Sequence, residues 1–338
     1  MRGFAALLVA TFHFSRPLAE SGYLAVDFFL ALSGFVIAKN YSGRLRNDAA
    51  LSLGRFMVLR LIRLYPLFFA GSLIGIAHEI QSTWRGAGIH LSWTALPMAS
   101  LLDLLILPWP GTDMMYPING VFWSIAGEVI VNLLFAIWLF RASSRIIAAI
   151  VAVLALCLCL FIKAPNFADS GAVWSLSYLA AARTMFSFAV GVLIARFEFF
   201  ANPRSSWASL VVILGLVAIL LAPIGLEWRR AFDISAILIA FPLLLIAGTK
   251  LNLPRPLVAP GLFLADISYA LYAIHLPITK VVAYVLKAKN IEPLEALPLF
   301  LAGIILISFL AVHFFDKPAR KYLSVKFHSR FSAKPQMV

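Results

Sequence analysis

Charge is scarce in this sequence, and negative charge scarcest: 13% of the 338 residues are charged, with 15 carboxylates against 28 lysines and arginines. A soluble domain carries about 25% charged residues to maintain its polar shell, so that class is excluded. Cysteine is almost absent. Cys157 and Cys159 are the two present, both inside an Ala/Leu/Val run, too few for a zinc site or a disulfide framework, and they read as core residues. Also missing are the alternating segments of about ten residues that mark a membrane β-barrel, and any internal repeat or low-complexity tract. What remains is 62% hydrophobic residues in apolar runs along the whole length. Backbone in lipid must satisfy its own hydrogen bonds, so the expected fold is all-α, a polytopic membrane helical bundle.

Apolar runs lie at 3–14, 23–38, 57–77, 119–140, 146–162, 178–197, 208–223, 233–249, 262–285 and 297–315, which predicts about ten transmembrane helices. Residues 98–108 are apolar but short and end in Pro108-Trp109-Pro110, so they read as interfacial or re-entrant. With ten spans, five basic clusters fall on one side: Lys39 to Arg55, Arg141 and Arg145, Arg196 and Arg204, Lys250 and Arg255, and the tail from Lys317. The positive-inside rule then puts both termini in the cytoplasm. Arg229 and Arg230 are the poorest fit, as an outer basic pair. The expected organisation is an integral-membrane domain at 1–320 and a basic cytoplasmic tail at 321–338. No cleavable signal peptide is visible. The first run supplies eleven of the roughly 20 residues a span needs, which points to a start upstream of Met1. The net charge of +13 does not indicate a nucleic-acid partner, because the basic residues punctuate apolar runs rather than forming one soluble face.

Within this apolar background a few polar residues stand out. Arg2 and His13 are eleven positions apart, hence ~20° apart on one helix face and roughly 16 Å along it. Ionisable residues in a membrane helix mark a working site by default. Asp27 opens the second run, a short hairpin from His13; it either orients an imidazole or a hydroxyl substrate, or is a helix N-terminal carboxylate favoured by the helix dipole. Arg60 and Arg63 share a face at the entrance of the third run, suited either to donor phosphates or to topogenesis and lipid headgroups. Ser124 and Glu128 lie four apart beside Trp123, with Glu128 near mid-bilayer, where a carboxylate needs a function or an ion-pair partner. Ser268, Tyr272 and His275 form a stripe at i, i+4 and i+7, lining a cavity or joining helices.

Taken in order, Arg2-x10-His13, Val26-Asp27-Phe28-Phe29-x3-Ser33-Gly34-Phe35, Arg60-x2-Arg63-x2-Pro66, Phe122-Trp123-Ser124-x3-Glu128, Ile267-Ser268-Tyr269-x-Leu271-Tyr272-x2-His275-x-Pro277 and Asp316-Lys317-Pro318-Ala319-Arg320 resemble the integral-membrane acyltransferase family 3. The resemblance spans essentially the whole chain. Ala25 stands where Gly is common, Asp316 where Glu is common, and the polar lead-in before the first Arg is absent.

The resemblance implies a ten-helix enzyme of the bacterial inner membrane that takes an acyl group, usually acetyl, from cytoplasmic acyl-coenzyme A to a hydroxyl of a saccharide or other acceptor. Acyl-CoA is then a co-substrate, with no permanently bound cofactor and no metal. Under that reading His13 is the general base, with Asp27 or Glu128 to orient it. Arg60 and Arg63 hold donor phosphates, Arg2 binds donor further along the path or steadies the thioester, and Trp123, Ser124, Tyr272 and His275 contact substrate. A proton-coupled transporter using Asp27, Glu128, His13 and His275 is the competing class.

Overall fold

A computed structural model describes residues 1–47, 51–86, 91–162, 171–197, 204–205 and 207–332. All ten apolar runs are helical. Among the described residues eight helices are long and apolar enough to cross a membrane, and two shorter apolar helices, Arg2–Phe14 and Ala208–Leu221, complete the set. The protein is a multi-pass membrane helical bundle.

In chain order the helices are α1 (Arg2–Phe14), α2 (Ala25–Asn47), α3 (Leu53–Trp84), α4 (Leu96–Leu104), α5 (Phe122–Leu134), α6 (Ser144–Phe161), α7 (Ser177–Arg196), α8 (Ala208–Leu221), α9 (Leu226–Ser235), α10 (Phe241–Thr249), α11 (Arg255–Lys289), α12 (Pro293–Leu310) and α13 (Lys317–Ser332). Three π-helical segments interrupt this pattern. Phe135–Leu139 extends α5, Ala236–Ala240 fuses α9 to α10, and Ala311–Asp316 fuses α12 to α13. The helix that begins at Pro293 therefore runs through positions 320 and 321, where composition suggested that a separate tail begins. Similarly, Arg229 and Arg230 sit in the first turns of the α9–α10 helix, not in an outer loop. Its N-terminus lies beside Glu20 and Ser21, which take up the Arg229 guanidinium.

Local sequence sets several helix ends. Ser52 and Ser143 cap α3 and α6, each hydroxyl accepting the backbone N–H three residues on. Asn290, at φ 54°, closes α11 in the left-handed conformation. The nine-residue α4 is too short to cross, in keeping with its interfacial reading.

The most enclosed spans are α2 and α7, which pack against each other along much of their length. Gly34 faces the Phe188 carbonyl and Gly191 faces the Ala31 carbonyl, and a methyl group at either position would overlap the opposing backbone. Small residues at such a crossing let two membrane helices approach to van der Waals contact. Alongside them α1 and α11 run parallel, with Gly3 against Leu264 at one end and His13 against His275 at the other. The short α1 thus lies against the long α11 and brings its two ionisable residues to the polar stripe of that helix.

Candidate active site

Two adjoining cavities lie between α1, α2, α3, α5 and α11, and both are lined by Arg2, Phe29 and Glu128. One adds Arg60 and Arg63 of α3 and Ser33 of α2. The other adds Ser124 of α5 and Ser268, Tyr269 and Tyr272 of α11. Three arginines and one carboxylate therefore converge on a polar hollow inside an apolar bundle. Only a compensating partner or a charged ligand makes such a placement affordable.

Glu128 is the hub. Its Oε1 accepts from Ser33 Oγ at 2.7 Å and from Arg60 Nη2 at 3.2 Å, which ties α5 to α2 and α3. The ion-pair partner expected for Glu128 is thus Arg60, supplied from α3. Arg60 is buried, and its Nε has no hydrogen-bond partner among the described residues, leaving one donor uncommitted beside the cavity. Arg63, one turn on, is exposed.

The hydroxyl side of the hollow is equally fixed. Ser124 Oγ donates to the Val121 carbonyl and lies 2.6 Å from Tyr272 Oη. Ser268 Oγ donates to Ala265 O at 2.7 Å, and Tyr269 Oη to Leu64 O at 2.8 Å, which locks α11 against α3. Of the stripe expected on α11, Ser268 and Tyr272 line the hollow; His275 does not. His275 is fully buried one turn beyond, with ring centroids 5.8 Å from Tyr272 and 5.1 Å from His13. His13 lines neither cavity; its ring neighbours are Phe12 and His275.

Asp27 takes a partner that neither sequence reading named. Arg183 of α7 binds it in a fork, with Nε at 3.2 Å from Oδ1 and Nη2 at 2.5 Å from Oδ2, and both side chains are 1% exposed. Each carboxylate oxygen of Asp27 is bonded to Arg183, and among the described residues no hydrogen bond joins Asp27 to His13. The same guanidinium lies over the Trp123 ring, 5.5 Å from its centroid. Trp123 accordingly belongs to this ion pair and lies outside the lining of the two cavities, although its neighbour Ser124 is part of it. Sequence reading passed over Arg183, yet the signal was present: an arginine in the middle of an apolar helix calls for a carboxylate elsewhere in the bundle. It also passed over Asp233, whose two oxygens each lie 2.7 Å from Tyr23 Oη. Among the described residues no cluster of three or more His, Cys, Asp and Glu side chains is arranged to hold a metal ion.

Comparison with known proteins decides what kind of site this is. A model of the acyltransferase domain, Acyl_transf_3, matches residues 1–313. The chain belongs to acyltransferase family 3. It is a membrane acyltransferase, the enzyme reading of its buried polar residues. It is 34% identical over 175 residues to "Protein 2 in picA locus" of Rhizobium radiobacter, a match covering 47% of this chain and 89% of that protein. It is 28% identical over 174 residues to "Putative peptidoglycan O-acetyltransferase YrhL" of Bacillus subtilis strain 168, and 26% identical over 140 residues to "Peptidoglycan O-acetyltransferase OatA" of Listeria monocytogenes. These two matches cover 46% and 38% of this chain but 26% and 21% of the relatives, which are much longer proteins. No solved structure matches the chain.

Proposed function

We propose that this family-3 acyltransferase moves an acetyl group from cytoplasmic acetyl-CoA to a hydroxyl of a saccharide acceptor, working in the bacterial inner membrane with both termini in the cytoplasm. The observation that carries the reading is the pair of cavities sharing Arg2 and Glu128, with arginines at one end and fixed hydroxyls at the other. That arrangement suits a donor with an anionic head and an acyl group to be presented deeper in the bundle. The basic clusters favour a cytoplasmic position for the Arg60–Arg63 end, the side on which acyl-CoA is found. The two relatives named as peptidoglycan O-acetyltransferases support O-acetylation of a glycan.

In the proposed reaction Arg63 and the free Nε of Arg60 bind donor phosphates, and Glu128 holds Arg60 in place. Arg2 steadies the negative charge that develops on the thioester carbonyl oxygen. The acceptor oxygen attacks that carbonyl, a C–O bond forms and the C–S bond breaks. His13 takes the hydroxyl proton and returns it to the departing thiolate, so the products are the O-acyl ester and free thiol.

The test measures ester-linked acetate on the cell-envelope glycan of a deletion strain complemented with His13→Ala or Arg63→Ala, at matched membrane levels. His13→Ala should abolish the ester, and retained acetylation overturns the base assignment. Purified Arg63→Ala, assayed for thiol release from acetyl-CoA with muropeptides as acceptor probe, should raise the donor KM about tenfold or more with little change in kcat. An unchanged donor KM returns Arg63 to a purely topogenic role.

A further inference from the structure

The mechanism above leaves His275 without a task, although it is fully buried and touches His13. Its Nδ1 lies 2.8 Å from the Tyr272 carbonyl oxygen and 3.1 Å from the Leu271 carbonyl oxygen. Carbonyl oxygens only accept, so Nδ1 must carry the proton. In the neutral ring that leaves Nε2 as a bare acceptor. This Nε2 is buried and has no hydrogen-bond partner among the described residues. A buried acceptor without a donor is costly and uncommon, and one fixed by its own helix backbone cannot turn away to find another.

The donor within reach is His13. The ring centroids are 5.1 Å apart and the planes are inclined by 40°. An in-line N–H···N bond between two imidazoles, at about 2.9 Å between nitrogens, brings the centroids to about 5 Å. The ring centroids are therefore already at bonding separation, and turning the His13 ring about its Cβ–Cγ bond, which leaves its centroid in place, is the motion that would bring an N–H onto Nε2. Phe12 packs edge-on against His13 at 5.0 Å, and Arg16, in the turn that follows α1, is the cation that acts on it among the described residues. Asp27 is bonded to Arg183 and Glu128 to Arg60 and Ser33, and no hydrogen bond joins either carboxylate to His13 among the described residues.

We propose that His275 is the positioning residue for His13: its Nε2 lone pair accepts one N–H of His13, leaving the other His13 nitrogen unprotonated for the acceptor hydroxyl. The inference rests on His13 being the base. When His13 takes up the hydroxyl proton, the N–H···Nε2 bond becomes charge-assisted and holds the imidazolium until the proton passes to the thiolate. A neutral imidazole thus does the orienting work that a carboxylate performs in a Ser-His-Asp triad, and it adds no second charge to the bundle.

The contact and its catalytic use are tested separately. In protein labelled with ¹⁵N-histidine and held in nanodiscs, His13 should show one neutral tautomer, and His275→Phe should release it into a mixture of two. This readout needs no turnover, so it stands even if the proposed reaction is wrong; an unchanged His13 tautomer in His275→Phe overturns the contact. For turnover, acetyl-CoA and muropeptides serve as probes. His275→Phe should lower kcat about a hundredfold while both KM values stay within about twofold, a loss of transition-state rather than ground-state interaction. His275→Gln keeps an acceptor oxygen on a flexible stem and should recover most of that loss. Full activity in His275→Phe, a loss confined to the acceptor KM, or a folded His275→Gln as inactive as His275→Phe each overturns the positioning role.

Discussion

Replacing Arg183 by leucine tests the central claim about Asp27. The variant removes the guanidinium that holds both Asp27 oxygens and leaves a carboxylate at 1% exposure with no counter-charge. Breaking a buried pair in this way costs about 3–5 kcal/mol, because the stranded charge is the expensive species. Loss of the guanidinium's contact with the Trp123 ring adds roughly 0.5–2 kcal/mol. Asp27→Asn/Arg183→Gln replaces the ion pair by two amides of similar size, which can still bond each other, and should regain all but about 1–2 kcal/mol. Denaturant-induced unfolding in mixed micelles measures both, and the cycle completed by the single amide variants should give a coupling of at least about 2 kcal/mol. The same double variant separates structure from chemistry: if Asp27 serves to hold α2 to α7, transfer activity returns to within about tenfold of the parent. A cost below about 1 kcal/mol for Arg183→Leu, or a stable double variant that remains inactive, refutes this reasoning.

Two further outcomes follow from the packing. Burial pushes the Asp103 carboxyl up to about 7, and the neighbouring Ser72 hydroxyl opposes that rise without cancelling it. The native form then binds a proton that the unfolded chain, with an ordinary carboxyl near pH 4, has already released. Stability should fall as pH rises from about 4 to about 7, by up to roughly 4 kcal/mol, and Asp103→Asn should flatten that slope and be more stable at pH 8; a parent melting temperature independent of pH contradicts the assignment. Gly191→Ala drives a methyl group into the Ala31 carbonyl, so the α2–α7 crossing must spread, at a cost of about 1–3 kcal/mol; an unchanged unfolding midpoint would show that the crossing is looser than described.

Different parts of this protein were legible at different levels. The helices were readable from hydropathy alone, because a segment that enters lipid must close its own hydrogen bonds whatever its neighbours do. The need of Glu128 for a partner was also readable, since a lone carboxylate in mid-bilayer is unaffordable in any fold. Local spacing placed Ser268 and Tyr272 on one stripe of α11, and the structure turns that stripe toward the hollow.

What sequence could not supply was the identity of partners. Arg60 and Glu128 are 68 positions apart, and Asp27 and Arg183 are 156 apart. Such pairings depend on which helices become neighbours, and in lipid that choice rests on close backbone approach, as at Gly34 and Gly191, rather than on apolarity that every span shares. The stripe on α11 shows the same division. Sequence placed His275 in line with Ser268 and Tyr272, but only the parallel packing of α1 on α11 set it against His13 instead of the cavity. The sequence by itself therefore determined that this is a helical membrane protein with a few costly polar residues. The tertiary structure decided which of those residues hold each other and which are left to meet a substrate.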